Sequence, residues 1–331
     1  MRGLPDGATP PAVLINAFAE TLEQGNGAAV VLLDKPASAA WMQSVASCFK
    51  QSETAFLLPM AALEIPGPGQ DPAPNPDQPA WALRWFTPSC EVPLCGHATL
   101  AATLALAHWK RLARGSASCF QTRSGGLTVR CHPDHPEGEG LTSRSSAGSA
   151  DLVLPASPLE ACPLPQDLSA FLGVSLQASW RSDLGYWVAL LAEAADLASL
   201  DGQAFALALA GELRAGLVLM QGCPSGEGRP LVMGKPADYQ LRFFAPGLGI
   251  SEDPVTGSAH ALVAPWWCAQ RQRRQVVGWQ ASSQGGGMLC ERLSSGMIQL
   301  TGSGRLIWDG VLITGCAAGA TAEWRRCLPG S

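Results

Sequence analysis

Two short turns place reactive residue types where the backbone itself helps the chemistry. Cys95-Gly96-His97 and Thr256-Gly257-Ser258 each stand directly before an apolar run that reads as a helix. A helix N-terminus leaves about four N–H groups unpaired and carries roughly half a positive charge, so each turn is a ready seat for a carboxylate or phosphate. The glycines, Gly96 and Gly257, let a ligand approach the backbone. One such turn alone reads as a tight turn with an ordinary cap; two of them read as a site. Ser258 and His260 invite a hydrolase reading, but two positions apart at a helix start they face different ways, so they form no dyad.

Other motifs are missing. The chain has no GxxxxGK[ST], no HExxH and no strand-linked GxGxxG, and Gly285-Gly286-Gly287 and Gly302-Ser303-Gly304 read as loop glycines. Neither a nucleotide nor a metal is implied, and no cofactor is expected. The 11 cysteines lack any CxxC spacing, which speaks against a disulfide framework or a Cys-rich zinc site.

The elements that must carry these turns follow from pattern. Val13–Phe18 and Ala28–Leu33 are apolar strands joined through Gly25-Asn26-Gly27, and Ala39–Phe49 repeats apolar residues at helical spacing. Thr54–Leu58, Trp81–Phe86, Leu127–Cys131, Leu152–Leu154, Trp187–Leu191, Leu217–Met220, Gln240–Phe244, Met297–Leu300 and Val311–Thr314 read as short strands. A helical pattern surrounds Glu193–Leu213, and residues 66–79 hold six prolines and read as a surface loop. Ala98–Trp109 carries no charge and is too short to cross a bilayer, so it reads as a buried helix.

An internal echo organises the whole. Arg84-Trp85-Phe86-Thr87-Pro88 leads to Glu91, Gly96 and a helix over 98–112; Arg242-Phe243-Phe244-Ala245-Pro246 leads to Glu252, Gly257 and a helix over 259–270, in which Pro265 should kink or shorten the far end. Two copies of one supersecondary unit predict two similar domains with a cleft between them.

Composition bounds the rest. At 331 residues, 47% apolar and 15% charged with a net charge of −5, the chain is long enough for two cores and shows no basic face for nucleic acid. No apolar leader opens it, so the expectation is a cytoplasmic protein with no membrane partner.

The motifs Gly25-Asn26, Ser52-Glu53-Thr54-Ala55-Phe56, Leu94-Cys95-Gly96-His97-Ala98-Thr99 and Glu252-Asp253-Pro254-Val255-Thr256-Gly257-Ser258-Ala259 resemble those of the PhzF family of phenazine-biosynthesis-like isomerases, in family order from residue 13 to about 314. The resemblance implies an α+β, diaminopimelate-epimerase-like fold. This has two pseudo-symmetric domains, each a curved, barrel-like mixed sheet wrapped around a central helix, here 1–127, with 305–331 returning to it, and 128–304. It implies an isomerase that moves a proton between carbons of a small carboxylic acid without a cofactor. Glu53 would be the general acid/base, and His97, Gly96, Asp253, Gly257 and Ser258 would bind substrate. Read from residues alone, Glu53 is as well a solvated turn carboxylate, His97 a packed cap and Asp253 an Asx-type turn.

Two-thiol racemases of this fold carry a second cysteine where this chain has Pro254, so Cys95 is set aside as a packing residue. Asn16 stands where an aspartate is common in the family, and a tail from Cys316 extends past the expected last strand. A catalytically idle member that holds an anionic metabolite, or acts as a scaffold, is the alternative; a homodimer is an assembly the sequence leaves open.

Overall fold

The computed structural model describes residues 9–63, 80–133, 146–173, 175–193, 195–223, 226, 228–313 and 320–327. The proline-rich stretch 66–79 and the start of the tail at Cys316 lie outside them. In chain order the elements are β1 (Pro11–Ala17), β2 (Asn26–Leu32), α1 (Ala39–Phe49), β3 (Glu53–Pro59), β4 (Ala80–Phe86), β5 (Glu91–Val92), α2 (Gly96–His108), β6 (Ala117–Thr122), β7 (Gly125–Cys131), β8 (Ser146–Pro155), β9 (Leu159–Ala161), α3 (Ser169–Leu172), β10 (Leu176–Ser182) and β11 (Trp187–Leu191). They continue with α4 (Gly202–Ala208), β12 (Leu217–Gly222), β13 (Leu231–Val232), β14 (Lys235–Pro236), β15 (Tyr239–Ala245), β16 (Ile250–Asp253), α5 (Gly257–Arg271), β17 (Gln275–Gln280), β18 (Gly286–Arg292), β19 (Met297–Val311) and α6 (Thr321–Arg326).

The chain divides into two compact units, one of Met1–Ala17, Gly27–Leu152 and Gly304–Ser331, the other of Phe18–Asn26 and Val153–Ser303. The first unit runs past residue 128 because β7 pairs with β8, with Val129 opposite Leu152.

In the first unit β2 and β3 run parallel, β4 lies antiparallel to β3 and parallel to β6, and β6, β7 and β8 follow as antiparallel neighbours. Pairing of β8 with β19, β19 with β1 and β1 with β2 closes an eight-stranded ring. The ring wraps α2, whose residues His97 to Ala107 are all buried. A helix apolar on every side has no solvent face to offer, and only an enclosing sheet can satisfy it. Gly304 of β19 shows how close the wrapping is, since a Cβ there would stand 2.4 Å from Cδ1 of Leu104. Outside the ring, Ser38 caps α1, which buries Met42, Val45 and Ala46 against Phe56, Leu58, Phe86 and Trp324.

The second unit repeats the plan. β11 and β12 run parallel, β15 lies antiparallel to β12 and parallel to β17, and β17, β18 and β19 continue antiparallel, while β9 and β10 extend the other side. Helix α5 buries Ala259 to Ala264 and packs on β15, β17 and β18. The outer layer is α4 with Phe205 and Leu209 on Trp187, Leu219 and Phe244. The expected α+β architecture of two similar units, each a curved mixed sheet around a central helix, is what the chain forms.

Four local expectations change. The helical pattern over 193–213 resolves into turns, the short α4 and a 3-10 turn at Gly211–Ala215. Asp201 caps a new start by accepting from the N–H groups of Gln203 and Ala204, and Gly211 takes φ 53°. Pro265 does not shorten α5, which continues to Arg271; proline removes one ladder bond, and burial outweighs it. The strand expected at 297–300 runs on to Val311 as one element, β19, pairing with β18 in its first half and β1 in its second, whereas of the strand expected over 311–314 Leu312 and Ile313 are not strand and Thr314 lies outside the described residues. The supposed loop glycines Gly286, Gly287, Gly302 and Gly304 sit within strands. At Gly287 a Cβ would come within 2.6 Å of the Gly278 carbonyl. All described cysteines are free, and no helix among the described residues is long and apolar enough to cross a membrane.

Candidate functional site

In the first unit the parallel register of β2 and β3 sets Glu53, the first residue of β3, opposite Ala28. The other side of the site arrives through the hairpin of β4 and β5. Arg84 of β4 donates Nε and Nη2 to the two carboxylate oxygens of Glu91 in β5, at 2.7 and 2.8 Å. Its guanidinium also lies over the rings of Phe86 and Trp324. This pair fixes the strand end from which Pro93 and Leu94 lead into Cys95, the cap of α2.

Cys95 enters the helix with extended backbone, and its carbonyl accepts from both the N–H and the hydroxyl of Thr99, at 3.1 and 2.6 Å. The sulfur makes no capping bond. It lies 3.4 Å from Nδ1 of His97, while Nε2 of the same ring lies 3.0 Å from Oε2 of Glu53. All three side chains are buried, with Glu53 8% exposed. Glu53 and His97 meet as an ion pair, and no other group among the described residues donates to the buried Oε2. A buried carboxylate oxygen left open costs free energy, and such positions are where a reacting proton can be received.

Electrostatics assigns the protons. Burial, helped by the nearby Glu53 charge and opposed by His97, pushes the Cys95 thiol up to about 11, so at neutral pH the sulfur keeps its proton. For His97 burial pulls downward, but its contacts with Cys95 and Glu53 outweigh it, and the ring is held well above the ordinary imidazole range. One ligand atom from each of Glu53, Cys95 and His97 lies within 4.8 Å of the others, with the sulfur nearer Nδ1 and the carboxylate at Nε2.

In the second unit a homologous hairpin, β15 and β16, is joined by Arg242 and Glu252. It leads to Asp253, whose Oδ1 accepts from Nδ2 of Asn26 at 2.7 Å and whose Oδ2 accepts from the Thr256 hydroxyl at 2.5 Å. Gln280 completes the turn: its Oε1 accepts from the Thr256 N–H at 2.8 Å, and its Nε2 donates to the Asp253 carbonyl at 2.6 Å. Gly257 is buried at the start of α5 and Ser258 is partly exposed beside it. His260 turns away into the core, with Nδ1 2.8 Å from the Tyr239 hydroxyl, so no Ser258–His260 dyad exists.

The six expected site residues therefore fall into two groups. Glu53, Gly96 and His97 share the first unit; Asp253, Gly257 and Ser258 share the turn that opens α5 in the second. Both Asp253 oxygens are already engaged in holding that turn. Sequence reasoning set Cys95 aside and missed its contact with His97, although the Cys-x-His spacing at a helix start was visible. It also missed Gln280, a buried amide in a glycine-interrupted strand that carries no pattern.

A family model described as phenazine biosynthesis-like protein matches residues 15–320. An uncharacterised isomerase of Halalkalibacterium halodurans is 32% identical over 89% of this chain and 95% of its own length. Phenazine biosynthesis-like domain-containing protein 1 of Mus musculus is 30% identical, over 91% and 98%. Among solved structures, a PhzF family protein of Enterococcus faecalis superposes with a TM-score of 0.70 at 28% identity, covering 92% of this chain and 99% of that one. With its duplicated hairpin-turn-helix units and a match over nearly its whole length, the chain belongs to the phenazine biosynthesis-like PhzF family.

Proposed function

We propose that this protein is a cofactor-independent isomerase that moves a proton between carbons of a small carboxylic acid, with Glu53 as the general acid/base. The observation that carries the reading is the buried Glu53 carboxylate, whose Oε2 meets only His97 Nε2, at 3.0 Å, among the described residues. Relatives named as isomerases support the same class of reaction.

In this mechanism Oε2 accepts a proton from a substrate carbon next to an electron-withdrawing group, leaving an enolate-like anion. Gly96 and His97 open α2, whose unpaired N–H groups and positive end favour that anion, and the His97 ring hydrogen adds a donor. Glu53, now carrying the proton, returns it to a different carbon. Gly257 and Ser258 offer a second anion seat at the start of α5, and Asp253 acts by fixing that turn.

A screen of small carboxylic acids in deuterated water tests the reading without a known product. The wild type should place deuterium on carbon in its substrate, and Glu53→Gln should slow this about 10²–10⁴-fold. Equal labelling by both proteins would show the wrong residue. A ligand that binds yet never exchanges would mark a binding protein instead.

A further inference from the structure

The geometry points to Cys95 as a positioning residue for the proposed reaction: its sulfur anchors Nδ1 of His97 and so holds Nε2 of the same ring against Glu53. The three side chains meet in series across the imidazole. Sγ lies 3.4 Å from Nδ1 and 3.9 Å from Nε2, while Oε2 of Glu53 pairs with Nε2 at 3.0 Å. All three are buried, Cys95 being 7% and His97 4% exposed. A carboxylate, an imidazole and a third group that orients the imidazole are the parts by which a ring nitrogen is fixed on its task.

An imidazole needs such an anchor. The torsion that turns its ring is broad and roughly two-fold, so the ring has two similar settings until contacts choose between them. Turned over, it would present carbons where its nitrogens now meet the sulfur and the carboxylate. Each contact therefore favours the same setting, and the sulfur acts on a nitrogen that it does not hold. The backbone keeps the anchor in place: the carbonyl of Cys95 accepts from the N–H and the hydroxyl of Thr99, at 3.1 and 2.6 Å, at the start of the helix that also carries His97. Glu53 arrives from a different element, β3.

The second unit supplies the contrast. Thr256 stands there where Cys95 does and Ser258 where His97 does, and the Thr256 hydroxyl is bonded to Asp253 at 2.5 Å. That turn residue holds an acid of its own hairpin, whereas the sulfur holds the ring. A thiol that only filled space would face apolar atoms; this one meets a ring nitrogen. Burial pushes the thiol up to about 11, so at neutral pH it stays an uncharged partner and leaves the proton in play to Glu53.

The kinetic consequence rests on the proposed function, but the setting of the ring does not and is read without substrate, so the two can fail separately. The experiment compares Cys95→Ala with Cys95→Ser, which give up similar bulk and differ in whether a polar atom still meets Nδ1. The first readout is the ¹⁵N signals of the His97 ring in protein with labelled histidine, His97→Gln picking them out from those of the other histidines and Glu53→Gln identifying Nε2. Cys95→Ala should move the Nε2 signal, and Cys95→Ser should leave it near that of the wild type. The second readout is turnover of the acid that the wild type labels in the deuterated-water screen: Cys95→Ala should lower kcat about 10–10²-fold with KM little changed, and Cys95→Ser should restore most of it. An Nε2 signal unmoved in Cys95→Ala would overturn the inference. So would alanine and serine variants that behave alike, the result expected of a packing residue. A wild type that labels no acid would sink the isomerase reading and leave the anchor to be decided by the ring signals.

Discussion

Arg84 and Glu91 form a two-point ion pair, with Nε to Oε1 at 2.7 Å and Nη2 to Oε2 at 2.8 Å, and Arg242 and Glu252 repeat it in the second unit at 2.6 Å for both bonds. In each case the arginine also lies over the phenylalanine two residues on, Phe86 or Phe244. Each pair joins a long strand to the short one that delivers the chain to a glycine turn.

Because the Arg84 guanidinium is buried, its removal leaves Glu91 and Glu323 without their partner. Arg84→Met should cost about 3–5 kcal/mol of unfolding free energy, readable from urea denaturation. The double variant Arg84→Met/Glu91→Met should recover part of that loss, because Glu91 is then no longer a stranded charge and only Glu323 lacks its partner. No recovery would mean that shape rather than charge holds the hairpin.

Glu53→Gln preserves size and most packing while removing the titrating group. Turnover should fall about 10²–10⁴-fold, with thermal stability nearly unchanged. A large drop in melting temperature with little kinetic effect would make Glu53 a structural residue.

His260 gives the second unit a pH dependence of its own. Burial lowers its pKa to about 3, against about 6.5 when unfolded, and Nε2 has no partner among the described residues to hold a proton. Below about pH 6.5 the unfolded chain takes up a proton that the folded chain refuses. Stability is therefore full above that pH and falls as pH drops towards 3, by about 2 kcal/mol at pH 5. His260→Gln, which can still accept from Tyr239, should flatten that slope in denaturation curves taken at pH 8 and pH 5. An unchanged slope would place the responsible group elsewhere.

Trp324 of α6 is fully buried against α1 and donates Nε1–H to the Ala37 carbonyl at 2.7 Å. Trp324→Ala should cost about 3–5 kcal/mol, whereas Arg326→Ala, on the exposed side of the same helix, should cost under about 0.5 kcal/mol. Equal effects would show that α6 does not dock through the indole.

What could be read from the sequence was whatever repeats or alternates. The charge-free run after Gly96 announced a helix with no wet face, and the Arg84 and Arg242 segments announced a duplicated unit because the same side chains recur at matching steps. Glycine-rich β18 could not be recognised, since its glycines answer to crowding by strands distant in sequence. The apolar pattern over 193–213 misled because Asp201 and Gly211 offered local alternatives that a longer helix could not beat. At the site, Glu53 and His97 could be named singly, but their 3.0 Å approach depends on the register of β2 with β3 and on the hairpin before α2. No local stretch records either.

The strand that completes the first unit also sets an order of events during synthesis. The second half of β19, from Gly304, and α6 are translated after everything in the second unit, yet that half of β19 closes the eight-stranded ring, and Glu323 of α6 accepts from the Ala39 N–H at the start of α1 and pairs with Arg84. A nascent chain that has already made α2 therefore holds a charge-free, largely apolar helix inside a ring with a gap. The unit encoded first is therefore the one completed last.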